Sequence, residues 1–287
     1  MTGTRSLAAS LALAAGLMAT ASGHAAGPAA GGALEYHGGA VLTHTTHVYY
    51  LWYGDWSRSL ALPVLTDFAS SLGGSPYFNI NTTHQDAAGQ RVRNSIAYSG
   101  SATDDGSLGA SLTDAGVLAA LTGAIRRGAL PVDANGVYFV LTAADVDETS
   151  GFCSDFCSWH NHAKIAGVDI KYAFVGHPGR CPEACELAPG NTPNGDAAAD
   201  AMVAAVAARI NETVTDPDAD GWFDAAGREN TDKCLLARNP FGPTYVTADG
   251  ARANLRLGAR NFLVPQNWVN DGGTEGAAGG HCALRYP

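Results

Sequence analysis

After the first two dozen positions the sequence has no apolar run approaching ~20 residues, so nothing later in the chain reads as a membrane span. It has no G-x-G-x-x-G turn, no phosphate loop and no G-x-S-x-G elbow. Those absences remove the usual dinucleotide, nucleotide and serine-hydrolase readings. Positive charge is scarce: 17 Lys and Arg stand against 27 Asp and Glu, for a net charge of −10. Such a chain has no electrostatic footprint for nucleic acid and is repelled by anionic lipid. No cysteine precedes Cys153.

What is present begins with a leader. Arg5 is followed by the apolar SLAASLALAAGLMATAS and the small residues GHAAG. This is the pattern of a secretory signal peptide, with cleavage expected near Ala25 or Ala26. Residues 1–26 are read as leader and 27–287 as one domain, long enough to bury a sizeable core. Arg5 is the only charge in the leader, so the mature chain is one unit more negative.

The six cysteines are Cys153, Cys157, Cys181, Cys185, Cys234 and Cys282. An even count in an exported chain points to disulfides. Two C-x3-C segments facing each other in a hairpin would pair Cys153–Cys185 and Cys157–Cys181, leaving Cys234–Cys282. Zinc is the rival reading, and export argues against it.

Hydrophobic patterning gives strands at 47–54, 94–100, 135–146 and 169–178. It gives helices at 62–74, 113–128 and 196–214. Gly128 suits the end of the second helix, and Asp196 suits the cap of the third. Alternating strands and helices predict an α/β fold: a single three-layer domain with a mixed sheet. A loop at 150–160, where a helix would be needed for a parallel return, predicts that the strand at 169–178 is an antiparallel edge. Beyond residue 224 the chain is loop-rich, with a last strand or packed tail at 261–269.

Chemistry is sparse. Asp216, Asp218, Asp220, Gly221 and Asp224 match positions 1, 3, 5, 6 and 9 of a calcium loop. Position 12 is Gly227, with Glu229 two residues beyond as the nearest substitute. The plainer reading is an acidic turn that solvates a helix end. His160 and His162, with His177, could form an open zinc site. Surface histidines beside disulfides explain them more simply, so zinc is not favoured. Asn81 and Asn211 begin N-x-T sequons. Trp56, Trp159, Trp222 and Trp268 could stack on sugar rings, though a core role is the expectation for tryptophan.

Seven blocks in order carry a resemblance: YHGGAVLTHTTHVYYLWYGDW, GFCSDFCSWH, FVGHPGRCPEAC, PNGDAAADAMV, TVTDPDADGWFD, ENTDKC and NFLVPQNWV. Together they resemble the phosphate-induced protein 1, or EXORDIUM-like, family from about Tyr36 to Cys282. The resemblance implies an exported protein of the extracellular space or cell wall, with an unknown wall ligand. Plant members are linked to growth and cell expansion. Bacterial relatives often read His-Glu-x-x-Glu before T-D-P. The aligned positions here are Ala208, Arg209 and Glu212, so only the last carboxylate remains. The strand–helix order is also similar to that of zincin metallopeptidases.

Three readings follow. One is a non-catalytic exported protein, braced by disulfides and calcium, that acts through its surface. Another is a metal-dependent hydrolase using Glu212, His160, His162 and the aspartates. The third is a carbohydrate-binding module.

Overall fold

The computed structural model describes residues 33–271 and 279–287; the leader expected over 1–26 lies outside them. Five strands form the main sheet: β1 (Thr46–Tyr53), β2 (Ile96–Asp104), β3 (Gly136–Thr142), β4 (Ser158–Ile165) and β5 (Val168–Val175). Their order is β2-β1-β3-β5-β4. The first four in that order run parallel, and β4 is antiparallel to β5.

The central strand shows why the sequence makes this sheet. THVYYLWY has almost no polar alternation, because both faces of β1 are covered. Val48, Tyr50 and Trp52 point into one core, and Tyr49, Leu51 and Tyr53 into the other. The first core is closed by α1 (Ala61–Leu72) and α3 (Ala197–Thr215), the second by α2 (Asp114–Arg126). Leu65, Phe68 and Leu72 of α1 are fully buried, each contributing about 1.5–3 kcal/mol. Thr113 caps α2 by accepting from Gly116 N at 3.2 Å, and Asp196 caps α3 by accepting from Ala199 N at 3.0 Å. The chain passes from β1 outward to β2 over α1. It then returns across β1 to β3 over α2 on the opposite face. The direction in which strands are added to the sheet therefore reverses at β1.

The antiparallel edge exists, but not where the sequence reading put it. The edge is β4, from SWHNHAKI, whereas residues 168–175 run parallel to β3. The reason lies in the link between them. Ala166 and Gly167 both take left-handed φ, 52° and 84°, the requirement of a two-residue hairpin turn. The polar edge strand begins inside the segment read as a loop, 150–160, and runs on to Ile165.

Three disulfides brace the structure, and two of the expected pairs are exchanged. Cys153 bonds Cys181 and Cys157 bonds Cys185, while Cys234 bonds Cys282 as expected. The facing-hairpin argument fails because Cys181 and Cys185 are not on an extended strand. A helical turn at Pro182–Cys185 places them one turn apart, so they meet the 153–157 turn in matching rather than reversed order. The expected last strand at 261–269 is split by Pro265 into Arg260–Phe262 and Asn267–Val269. Among the described residues no helix is long and apolar enough to cross a membrane.

Candidate functional site

The carboxyl half of α3 packs against the edge strand and a short helix, α4 (Asn230–Leu235). Ala201, Ala204, Ala205 and Ala208 border a groove of about 370 Å3 that runs from the disulfide segment to Arg209 and Asp232. Arg209 and Glu212, three residues apart, share one face of α3.

Below the groove lies a cluster of charge. His160 Nε2 on β4 is 3.0 Å from both carboxylate oxygens of Glu229, the residue preceding α4. One ligand atom each from His160, Glu212 and Glu229 lie within 4.8 Å of one another. The Glu212 side chain is fully buried and that of His160 is 7% exposed. Arg209 Nη2 donates to Glu212 Oε1 at 3.0 Å and lies 2.8 Å from Oε2. The same guanidinium is 3.5 Å from Asp232. Burial pushes the Glu212 carboxyl well above the usual carboxylate range; Arg209 opposes this, and Glu229 and Asp232 add to it. Burial works against the Arg209 charge, but Glu212, Asp232 and Glu229 outweigh it and raise its pKa.

A catalytic zinc takes three protein ligands and leaves a position open for water. His160 Nδ1 and Glu212 Oε2 accept no hydrogen bond and are buried, which suits a ligand set. The guanidinium on Glu212 does not, because it already neutralises the carboxylate and repels a cation. As arranged, these residues do not fit a catalytic ion.

The other expected residues scatter. His162 lies on the same face of β4 as His160, two residues along, yet it joins a separate surface group. Its Nδ1 is 3.0 Å from Asp169 and 3.5 Å from Asp218. Lys171 donates to both of those carboxylates. His177 joins neither group; it lines a crevice with Trp56.

The four aspartates of the acidic loop each turn to a different partner. Asp216 accepts from Gly221 N at 2.6 Å. Burial raises its pKa to about 6, with Glu229 adding to the effect and the Gly221 hydrogen bond and His160 opposing it. Asp218 binds Lys171. Asp220 lies against Gly39, where a Cβ would collide with its carboxylate. Asp224 accepts from the amides of Ala226 and Arg228 and pairs with the side chains of Arg228 and Lys233. Burial acts to raise its pKa, but those hydrogen bonds hold it far below the usual range. Glu229 turns to His160 and not to the loop. No local spacing signals that partnership, because 69 residues separate the pair.

Between the acidic loop and the core runs a buried amide network. Asn81 Nδ2 donates to Asn211 Oδ1 at 2.8 Å, and Asn230 and Asn267 donate to Asn81 Oδ1. Asn211 donates to Tyr77 Oη at 3.0 Å. Both sequon asparagines, Asn81 and Asn211, are therefore inside the protein. Trp56 and Trp268 are buried; Trp159 and Trp222 are partly so.

A model of the phosphate-induced protein 1 conserved region matches residues 34–255. Protein EXORDIUM-like 5 of Arabidopsis thaliana is 31% identical over 274 residues, covering 82% of this chain and 75% of its own. Protein EXORDIUM-like 3 of the same plant is 29% identical, covering 82% and 80%. Protein PHOSPHATE-INDUCED 1 of Nicotiana tabacum is 26% identical, covering 66% and 67%. No solved structure matches.

Proposed function

Because the chain belongs to the phosphate-induced protein 1 family, we propose that it is exported and acts outside the cell or at the wall by binding, not by catalysis. One observation carries this reading: Arg209 sits 2.8 Å from the fully buried Glu212 carboxylate. The one residue left from a hydrolase-like pattern is thus tied into an ion pair and is neither free to bind a metal nor open to water. Three disulfides and the apolar leader support export. Calcium at the acidic loop would have to displace Lys171 from Asp218, or Arg228 and Lys233 from Asp224. If chelator leaves the melting temperature unchanged, ion pairs and hydrogen bonds brace the loop without calcium.

The test is elemental analysis of the secreted, purified protein together with a casein-cleavage assay. Export without bound zinc and without cleavage supports the proposal. Stoichiometric zinc together with chelator-sensitive cleavage overturns it.

A metal-dependent hydrolase is the second reading, favoured by the convergence of His160, Glu212 and Glu229. It requires Arg209 to leave Glu212. The native chain should then take up stoichiometric zinc, and Arg209→Ala should take it up more tightly.

A further inference from the structure

The reversal of the direction of strand addition at β1 creates a crevice. The loops after β1 and β3 depart in opposite directions from neighbouring strand ends. In open α/β sheets that position, outside the carboxyl ends of the strands, is where ligands bind. Here it holds a cavity of about 280 Å3, at the small end of ligand pockets. Its walls include Asp55, Trp56 and Arg58 after β1, Asp145 after β3, His177 after β5, and Asp196 at the start of α3.

The polar groups are half committed to the fold. Asp55 accepts from Ser57 N at 2.9 Å through Oδ1, and Asp145 Oδ1 accepts from Asp55 N at 3.2 Å. Asp196 Oδ1 accepts from Ala199 N. Asp145 and Asp196 thereby keep a second oxygen, while Asp55 accepts from the Ser57 side chain as well as its amide. His177 Nδ1 accepts from Gly179 N at 3.2 Å, which leaves the ring proton on Nε2. Burial lowers the His177 pKa against the pull of Asp196 and Glu186, keeping the imidazole neutral. Trp56 supplies an apolar wall, its ring centroid 6.0 Å from that of His177.

This chemistry selects among ligands. Three carboxylates outweigh the single guanidinium of Arg58, so a phosphate or other anion is repelled. The turn after β1 is Gly54-Asp55-Trp56 and has no glycine-rich loop, and α1 has no side-chain cap at its start. Nothing cradles a nucleotide. A sugar hydroxyl, in contrast, both donates and accepts. Acceptor oxygens on several walls, a ring N–H and an apolar wall are what a small polyhydroxylated ring requires. We propose that the crevice at the carboxyl ends of β1 and β3 binds a neutral saccharide, one sugar ring deep, with Asp55, Asp145 and His177 as its polar contacts. The site is separate from the Arg209–Glu212 cluster, so its failure leaves the extracellular reading standing.

Calorimetric titration of the mature protein with glucose, galactose, xylose and cellobiose tests this, with calcium chloride as a separate arm. Saturable binding of at least one sugar is expected. Asp145→Asn keeps the Oδ1 acceptor for Asp55 N, so the fold is retained. It should weaken binding roughly tenfold, as for loss of one charge-assisted hydrogen bond. Asp55→Asn and His177→Ala should also weaken it, while Asp249→Asn, on an exposed turn, should not. The proposal is overturned if no sugar in the panel binds saturably, or if binding survives in all three crevice variants. It is equally overturned if calcium binds, is lost in Asp145→Asn, and no sugar does: the crevice is then a cation site.

Discussion

Replacing Arg209 by leucine should cost far more at neutral pH than in mild acid. The guanidinium faces three carboxylates: Glu212 at 2.8 Å, Asp232 at 3.5 Å, and Glu229 through space. Removing one partner of a buried pair typically costs about 3–5 kcal/mol, because a buried charge is left without compensation. Glu212 can escape that cost by taking up a proton. Its folded-state pKa already lies above the unfolded value near 4.5, and Arg209 is the principal group opposing the rise. Without Arg209 the folded-state value climbs further. A carboxyl with a raised folded pKa holds a proton that the unfolded chain releases. Stability therefore falls as pH rises from the unfolded pKa toward the folded one. The deficit of Arg209→Leu should be small near pH ~4 and reach about 3 kcal/mol or more near pH ~7.5. Urea unfolding at the two pH values measures this. Glu212→Gln should cost less and flatten the pH dependence. The Arg209→Leu/Glu212→Gln double variant should be milder than the sum of the two, with a coupling of about 1–3 kcal/mol. An Arg209→Leu loss under about 1 kcal/mol, equal at both pH values and additive with Glu212→Gln, would refute a coupled buried pair.

Other perturbations test the surroundings. The raised pKa of Asp216, about 6, means that this residue costs stability as pH rises from the ordinary aspartate value through about 6; Asp216→Asn should remove that slope in thermal melts while keeping the acceptor for Gly221 N. Asn81→Ala should lower stability by about 3 kcal/mol in urea melts, because it strips partners from the buried amides of Asn230 and Asn267 and from Asn211 Oδ1. Cys153→Ser with Cys181→Ser opens a bridge across a sequence separation of 28 residues; a loss of roughly 3.5 kcal/mol is expected. Peptide mapping without reduction should recover Cys153–Cys181 and Cys157–Cys185 linked peptides, and recovery of Cys153–Cys185 would contradict the pairing.

Legibility followed periodicity. The expected helices at 62–74, 113–128 and 196–214 correspond to Ala61–Leu72, Asp114–Arg126 and Ala197–Thr215. Each combines an apolar stripe with a capping or stop residue, so local chemistry and packing agree. The buried parallel strands were readable for a similar reason: β1 and β3 are apolar on both faces. The β4 strand was not. Five of the eight residues of SWHNHAKI are polar because β4 is an edge strand with only one strand neighbour, so its sequence resembles a loop. The disulfide order was hidden by the helical turn at Pro182–Cys185, a four-residue element too short for periodicity to reveal.

The candidate site shows a deeper limit. The family resemblance drew attention to Ala208, Arg209 and Glu212, and spacing places them together, because residues three and four apart on a helix share a face. Nothing local could place His160 or Glu229 beside that carboxylate, since the hairpin and α4 bring them there from distant parts of the chain. The acidic loop differs in the opposite way. Its spacing suggests convergence, but nearby cations and amides give Asp216, Asp218 and Asp224 separate partners. Asp224 alone accepts from two amides and two basic side chains. Charge-assisted hydrogen bonds of that number hold a carboxylate more firmly than membership in a loop motif does. A motif states which oxygens are available; the folded neighbours decide how they are used.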